Sequence, residues 1–317
     1  MATKEFKIIW AVDPNGEVGL KNVALKAISA LARKKYTVIE PVYFLSTSLD
    51  PTPTQTTGDA LSLERTSLSE RFNHLVGAYT LPGLQPLTVL TGTDLSKKRM
   101  TIELSRYAQM QKADVIVLST HGRKGIKRWM LGSFAETLMR ESKVPIFIIN
   151  PHWKSSESLK NILFPTDFSA ASKDAFLKVV DFARVSRIHI TLFHRLSLVV
   201  SSDQPAASPF PEVDNRDFQP VLDEQVLNSR IQALKWASEA QARGAYVIVS
   251  IDEKWSQPVA DSILKEQEKT GGIIALASHD GEIARKIAHN NSSAVWILYP
   301  EAKGQAYQSQ TGLLNCG

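Results

Sequence analysis

The chain has 317 residues, of which 43% are hydrophobic and 22% charged, and it carries a formal net charge of +5. That balance is typical of a globular protein of about two ordinary domains, and it excludes the charge density of a dedicated nucleic-acid binder. The single cysteine, Cys316, excludes an internal disulfide framework and a cysteine-rich metal site. The apolar run in MATKEFKIIWAVDPNGE is too short for a signal peptide. No window approaches roughly 18 consecutive apolar residues, so a cytoplasmic location away from membranes is expected.

Short apolar runs alternate with amphipathic ones along the whole chain. In the first half the pattern predicts strands at 7–12, 37–44, 86–91, 114–119 and 145–149, with helices at 19–34, 66–77, 96–112 and 133–142. In the second half it predicts strands at 161–165, 188–194, 245–250, 272–277 and 294–299, with helices at 170–185, 222–243, 256–269 and 281–289. Such alternation implies right-handed βαβ crossovers and parallel sheets. Two Pro/Ser/Thr-rich stretches interrupt it, STSLDPTPTQTTGDAL (46–61) and SSDQPAASPFPEVDNRD (201–217). Each follows the second strand of its half and reads as a surface loop or partly disordered excursion, a tolerated insertion with a lid as the alternative.

The two halves are copies of one another. KIIWAVDPNGEVGLKNVALKAISALA (7–32) parallels NILFPTDFSAASKDAFLKVVDFA (161–183), each placing an aspartate, Asp13 or Asp167, after the first strand. ADVIVLSTHG (113–122) parallels GGIIALASHD (271–280), and SKVPIFIINP (142–151) parallels SSAVWILYP (292–300). Three matches in the same order imply a duplication. We place domain one at 1–152 and domain two at 153–317, the latter ending in a polar tail. The polar stretch HWKSSESL (152–159) is the expected linker.

The copies differ most at one loop. STHGRKGIKRWMLGS (119–133) holds Gly122, Gly132 and four cations, Arg123, Lys124, Lys127 and Arg128, between a strand and a helix. In an open parallel sheet, ligands sit at the carboxyl ends of the strands. Helix N-termini present unpaired N–H groups and partial positive charge, and glycines let backbone approach an anion. A polyphosphate cradle fits these features, with Ser133 adding a hydroxyl. The bland alternative is structural: Ser133-Phe134-Ala135-Glu136 also reads as a capping box, and the cations as a solvated surface. His121 has no ligand-spaced partner, so no metal site is expected, and no nucleophile–base pair is visible. In the second half Asp280 follows His279, and the long basic loop is missing.

These residues resemble the universal stress proteins, over nearly the whole chain, as a tandem of two such domains. The nucleotide-binding members of that family carry Gly-x-x-Gly, nine residues, then Gly-Ser/Thr. Here Ser119-Thr120-His121-Gly122, nine residues, Gly132-Ser133 matches, with Ser119 in place of the first glycine. The resemblance implies two Rossmann-like (flavodoxin-like) α/β domains, each a five-stranded parallel sheet of order 3-2-1-4-5 with helices on both faces. It implies ATP, with magnesium as an optional companion ion, bound in the first domain by Asp13, Val42, Leu118, Ser119, His121, Gly122, Gly132, Ser133 and Phe134. It also implies pairing of the fifth strands, 145–149 with 294–299, in an internal pseudo-dimer, with further homodimerisation open. The second domain then reads as a structural partner without a nucleotide site. Stress-linked binding rather than turnover is expected, with no catalytic residue. The alternatives are a nucleotide-free interaction scaffold, or an enzyme that slowly hydrolyses ATP or transfers adenylyl groups.

Overall fold

The computed structural model describes residues 5–15, 18–32, 36–46, 57–92, 96–119, 132–150, 153, 159–196, 219–253, 257–277 and 281–299. The first half runs β1 (Phe6–Ala11), α1 (Val18–Leu31), β2 (Thr37–Ser46), α2 (Thr57–Val76), β3 (Thr88–Gly92), α3 (Lys97–Met110), β4 (Val115–Ser119), α4 (Ser133–Glu141) and β5 (Ile146–Ile149). The second runs β6 (Asn161–Pro165), α5 (Ala170–Ser186), β7 (His189–Arg195), α6 (Gln219–Ala242), β8 (Val247–Asp252), α7 (Val259–Thr270), β9 (Ile273–Ala277), α8 (Gly281–Asn290) and β10 (Val295–Leu298).

All the strands join one ten-stranded sheet, ordered β3-β2-β1-β4-β5-β10-β9-β6-β7-β8. Each half alone has the order 3-2-1-4-5, and the strands within it pair in parallel. The halves meet where β5 pairs antiparallel with β10, with Phe147 opposite Trp296. Both strands are wholly apolar because they are buried on both faces: all four residues of each are buried. An apolar edge of this kind demands a partner, and here each half covers the other.

Two cores follow, one on each side of the sheet. One holds Trp10, Phe72, Phe147, Phe164, Phe176, Trp236 and Trp296 beneath α1, α2, α5 and α6. The other holds Ile9, Val42, Leu118, Leu138, Phe193, Leu276 and Ile297 beneath α3, α4, α7 and α8. Both run through the junction without a break. Side-chain contacts reinforce it: Asn150 Nδ2 donates to the Asn291 carbonyl at 2.6 Å, and the Tyr299 hydroxyl donates to the Met139 carbonyl at 2.7 Å. Burial pushes the Tyr299 phenol well above its ordinary range. Trp153, inside the stretch read as a polar linker, is buried with its ring edge-on to Phe147 at 6.2 Å.

The sequence pattern places most strands and helices within a few residues. The main difference is α2, which begins at Thr57 rather than at 66, inside the stretch read as a loop. Its buried contacts are Leu68, Phe72 and Val76, one per turn, whereas Leu63 is exposed. The early turns therefore carry no apolar stripe for a periodicity reading to find. The proposed loop at 201–217 lies outside the described residues.

Candidate functional site

In each half the strand order reverses at the first strand, which is flanked by the second and fourth. In the first half this puts Val42, Ala11 and Leu118 in one row across β2, β1 and β4. Val42 and Leu118 are buried in the same core as Ala135, with Phe134 packed on it. Ser119 ends β4 one residue beyond Leu118. Asp13 lies two residues past Ala11, exposed, its carboxylate accepting the Asn15 N–H at 2.9 Å. Asn15 in turn accepts from Arg71 at 2.7 Å. Burial raises the nearby Tyr43 phenol, and the Asp13 charge adds to that shift.

Gly132 caps α4, with φ −66° and ψ 147° and no side-chain capping bond. Ser133 is the first helical residue rather than the cap, so the capping-box alternative does not hold. Glu136 does not reach back to the helix start either; its Oε1 lies 2.8 Å from His289 Nε2 on α8. Among the described residues, a Cβ placed on Gly132 would meet nothing within 4 Å. Gly132 and Ser133 are both exposed, at the mouth of the strand ends.

Asp13, Val42, Leu118, Ser119, Gly132, Ser133 and Phe134 therefore all belong to the strand ends beside the switch point or to the helix that follows β4. His121 and Gly122, with the four loop cations, lie outside the described residues. Among the described residues no group of three or more His, Cys, Asp or Glu is placed to hold a metal ion.

The second half repeats the frame with different chemistry. Phe193 pairs with Pro165 as Val42 pairs with Ala11, so a bulkier ring takes the valine's place. Asp167 accepts the Ser169 N–H at 2.9 Å and the Ser172 hydroxyl at 2.6 Å. Ser169 caps α5 by accepting from the Ser172 N–H. Phe168, between them, has a φ of 60°, a left-handed backbone that bulky residues rarely adopt. Its ring lies 4.6 Å from the His194 imidazole and meets Trp236 edge-on at 5.3 Å. A cavity of about 490 Å³ opens at these strand ends, bounded by β6, β7, β9 and helices α5 to α8. Sequence reading missed it because its walls come from seven separate elements. Asp280 lies outside the described residues.

Comparison with known proteins agrees with this duplicated frame. The sequence model of the universal stress protein family matches residues 6–150 and again 158–296. The chain belongs to the universal stress protein family. A universal stress protein of Methanocaldococcus jannaschii is 36% identical over 47 residues, a match covering 15% of this chain and 28% of that protein. A universal stress protein from Archaeoglobus fulgidus has a crystal structure with a TM-score of 0.61 at 15% identity, covering 92% of this chain and 98% of that one. A functionally unknown protein from Pseudomonas aeruginosa gives a TM-score of 0.57 at 12% identity, covering 93% and 92%. At such identities the structural likeness bears on fold alone. Among the described residues no helix is long and apolar enough to cross a membrane.

Proposed function

We propose that this universal stress protein binds an adenine nucleotide, ATP, in its first half (residues 1–152) and acts in the stress response of the cytoplasm by binding rather than turnover. The adenosine would lie along Val42 and Leu118 with Asp13 at its rim. The phosphates would rest on the start of α4. The second half (153–317) serves as the fixed partner that completes the sheet.

The observation that carries this reading is Gly132. It sits at the helix start in the Gly-Ser pair of the loop, with open space where a side chain would project. A glycine at a helix start with open space beside it fits a position that a ligand's anion approaches closely. The four cations of the adjoining loop add attraction to that anion. At the mouth the Asp13 carboxylate accepts the Asn15 N–H, and the Asn15 side chain accepts from Arg71. The test is to denature freshly purified protein and identify the released small molecules by mass spectrometry. An adenine nucleotide near one equivalent supports the reading, and its absence after supplementing with ATP contradicts it.

A further inference from the structure

The cavity in the second half has its own chemistry. Its walls are mostly apolar, with Phe193, Val259, Ile263, Leu276 and Ile283 as the larger side chains. Its volume of about 490 Å³ falls in the range of roughly 300–1,000 Å³ typical of small-molecule sites. Among the described residues of its lining the charged ones are Asp167 and Arg195, of opposite sign. His194 Nδ1 lies 2.7 Å from the Thr166 carbonyl oxygen. A carbonyl only accepts, so Nδ1 carries the proton and Nε2 is left as an acceptor. Among the described residues no donor meets that Nε2. Burial lowers the His194 pKa, more than the Thr166 bond and the Asp167 charge raise it, which keeps the ring neutral near pH 7.

The backbone supports the same site. Phe168 holds a left-handed φ of 60°, and its ring lies tilted against the His194 imidazole at 4.6 Å. Strained backbone at a bulky residue concentrates where function requires a fixed geometry. The strain here fixes the imidazole that faces the cavity. The first turn of α8, beside the cavity, carries Glu282, which disfavours a phosphate at this helix start.

We propose that the second half binds a small uncharged aromatic compound carrying a hydroxyl group, seated in this cavity with the hydroxyl donating to His194 Nε2. The apolar walls take the ring, and the His194 Nε2, an acceptor set beside those walls, takes the hydroxyl proton. The site is independent of the nucleotide reading for the first half.

The experiment uses the full chain at pH 7.5, titrated by calorimetry with 2-naphthol and with naphthalene, which has the same rings but no donor. One 2-naphthol per chain is expected, bound about fivefold more tightly than naphthalene, the factor for one neutral hydrogen bond. His194→Leu should bring the two ligands to equal affinity. Ala277→Leu, which adds bulk to the cavity from β9, should weaken both at least about tenfold, and this arm stands even if the His194 variant fails to fold. Saturating ATP should leave 2-naphthol bound, and Gly132→Val should not affect it. Failure of either probe to saturate, equal affinity for both in the parent, or displacement of 2-naphthol by ATP overturns the proposal.

Discussion

Asp13 and Asp167 occupy equivalent turns, and each accepts the backbone N–H two residues on at 2.9 Å. Asp167 also takes the hydroxyl of Ser172, a residue only 1% exposed, at 2.6 Å. One inherited carboxylate has therefore become a structural anchor for α5, while its counterpart faces the open mouth of the first half. Asp167→Ala should leave the buried Ser172 hydroxyl without its acceptor and cost about 2 kcal/mol of stability, with ATP affinity unchanged. Asp13→Ala should cost under about 1 kcal/mol of stability and weaken ATP binding. Thermal melts and calorimetric titrations of the two variants separate the roles.

Gly132→Val tests the phosphate end of the site. The backbone at Gly132 suits any residue, and a Cβ there meets nothing within 4 Å. Valine is a poorer helix cap than glycine, so a stability loss of up to about 1 kcal/mol is expected. ATP affinity should fall by at least about a hundredfold, from a steric clash together with lost charge-assisted hydrogen bonds. Unchanged affinity would place the phosphates elsewhere.

Strand positions were legible because both faces of most strands are buried, leaving short continuous apolar runs such as those around Val117, Phe147 and Trp296. The duplication was legible because the same turns recur after β1 and β6. The early turns of α2 were not, since residues such as Leu63 face solvent and leave no stripe. The second-half cavity was not legible either. Phe193 and Leu276 read as ordinary core residues, and His194 shows no partner at any sequence spacing. Its contact with Thr166 and the left-handed Phe168 exist only once β6 and β7 are paired.

His194 makes stability depend on pH. Its folded pKa lies below the ordinary 6.5, chiefly through burial, so the unfolded chain binds the extra proton first. The stabilisation is complete above pH 6.5 and is lost as pH falls through the folded value. The groups facing the ring are the Thr166 carbonyl and the Asp167 charge, both of which oppose the shift without cancelling it. Urea denaturation at several pH values from 7.5 to about 5 should show stability falling in the parent. The fall should be shallower in His194→Leu. Parallel curves would show that His194 does not titrate in this way.

The junction should make the two halves unfold as one. Trp296 is 5% exposed, sits opposite Phe147 in the β5–β10 pair and meets Phe182 edge-on at 5.0 Å. Trp296→Ala removes packing from a core that spans both halves and should cost about 3–5 kcal/mol. Scanning calorimetry should give a single transition in the parent, shifted downward as a unit in the variant. Two separate transitions in the parent would mean that the continuous core does not couple the halves.

The most direct test of the central claim is the stoichiometry of ATP. Equilibrium dialysis of the full chain against saturating ATP should give one nucleotide per chain. That nucleotide should be lost in Gly132→Val and retained in Asp167→Ala. The first half keeps Asp13, Gly132, Ser133 and the basic loop, whereas the second presents Phe193 in place of Val42 and holds Asp167 within its own turn. Two equivalent nucleotides per chain, or binding that survives Gly132→Val and disappears in Asp167→Ala, would contradict the account.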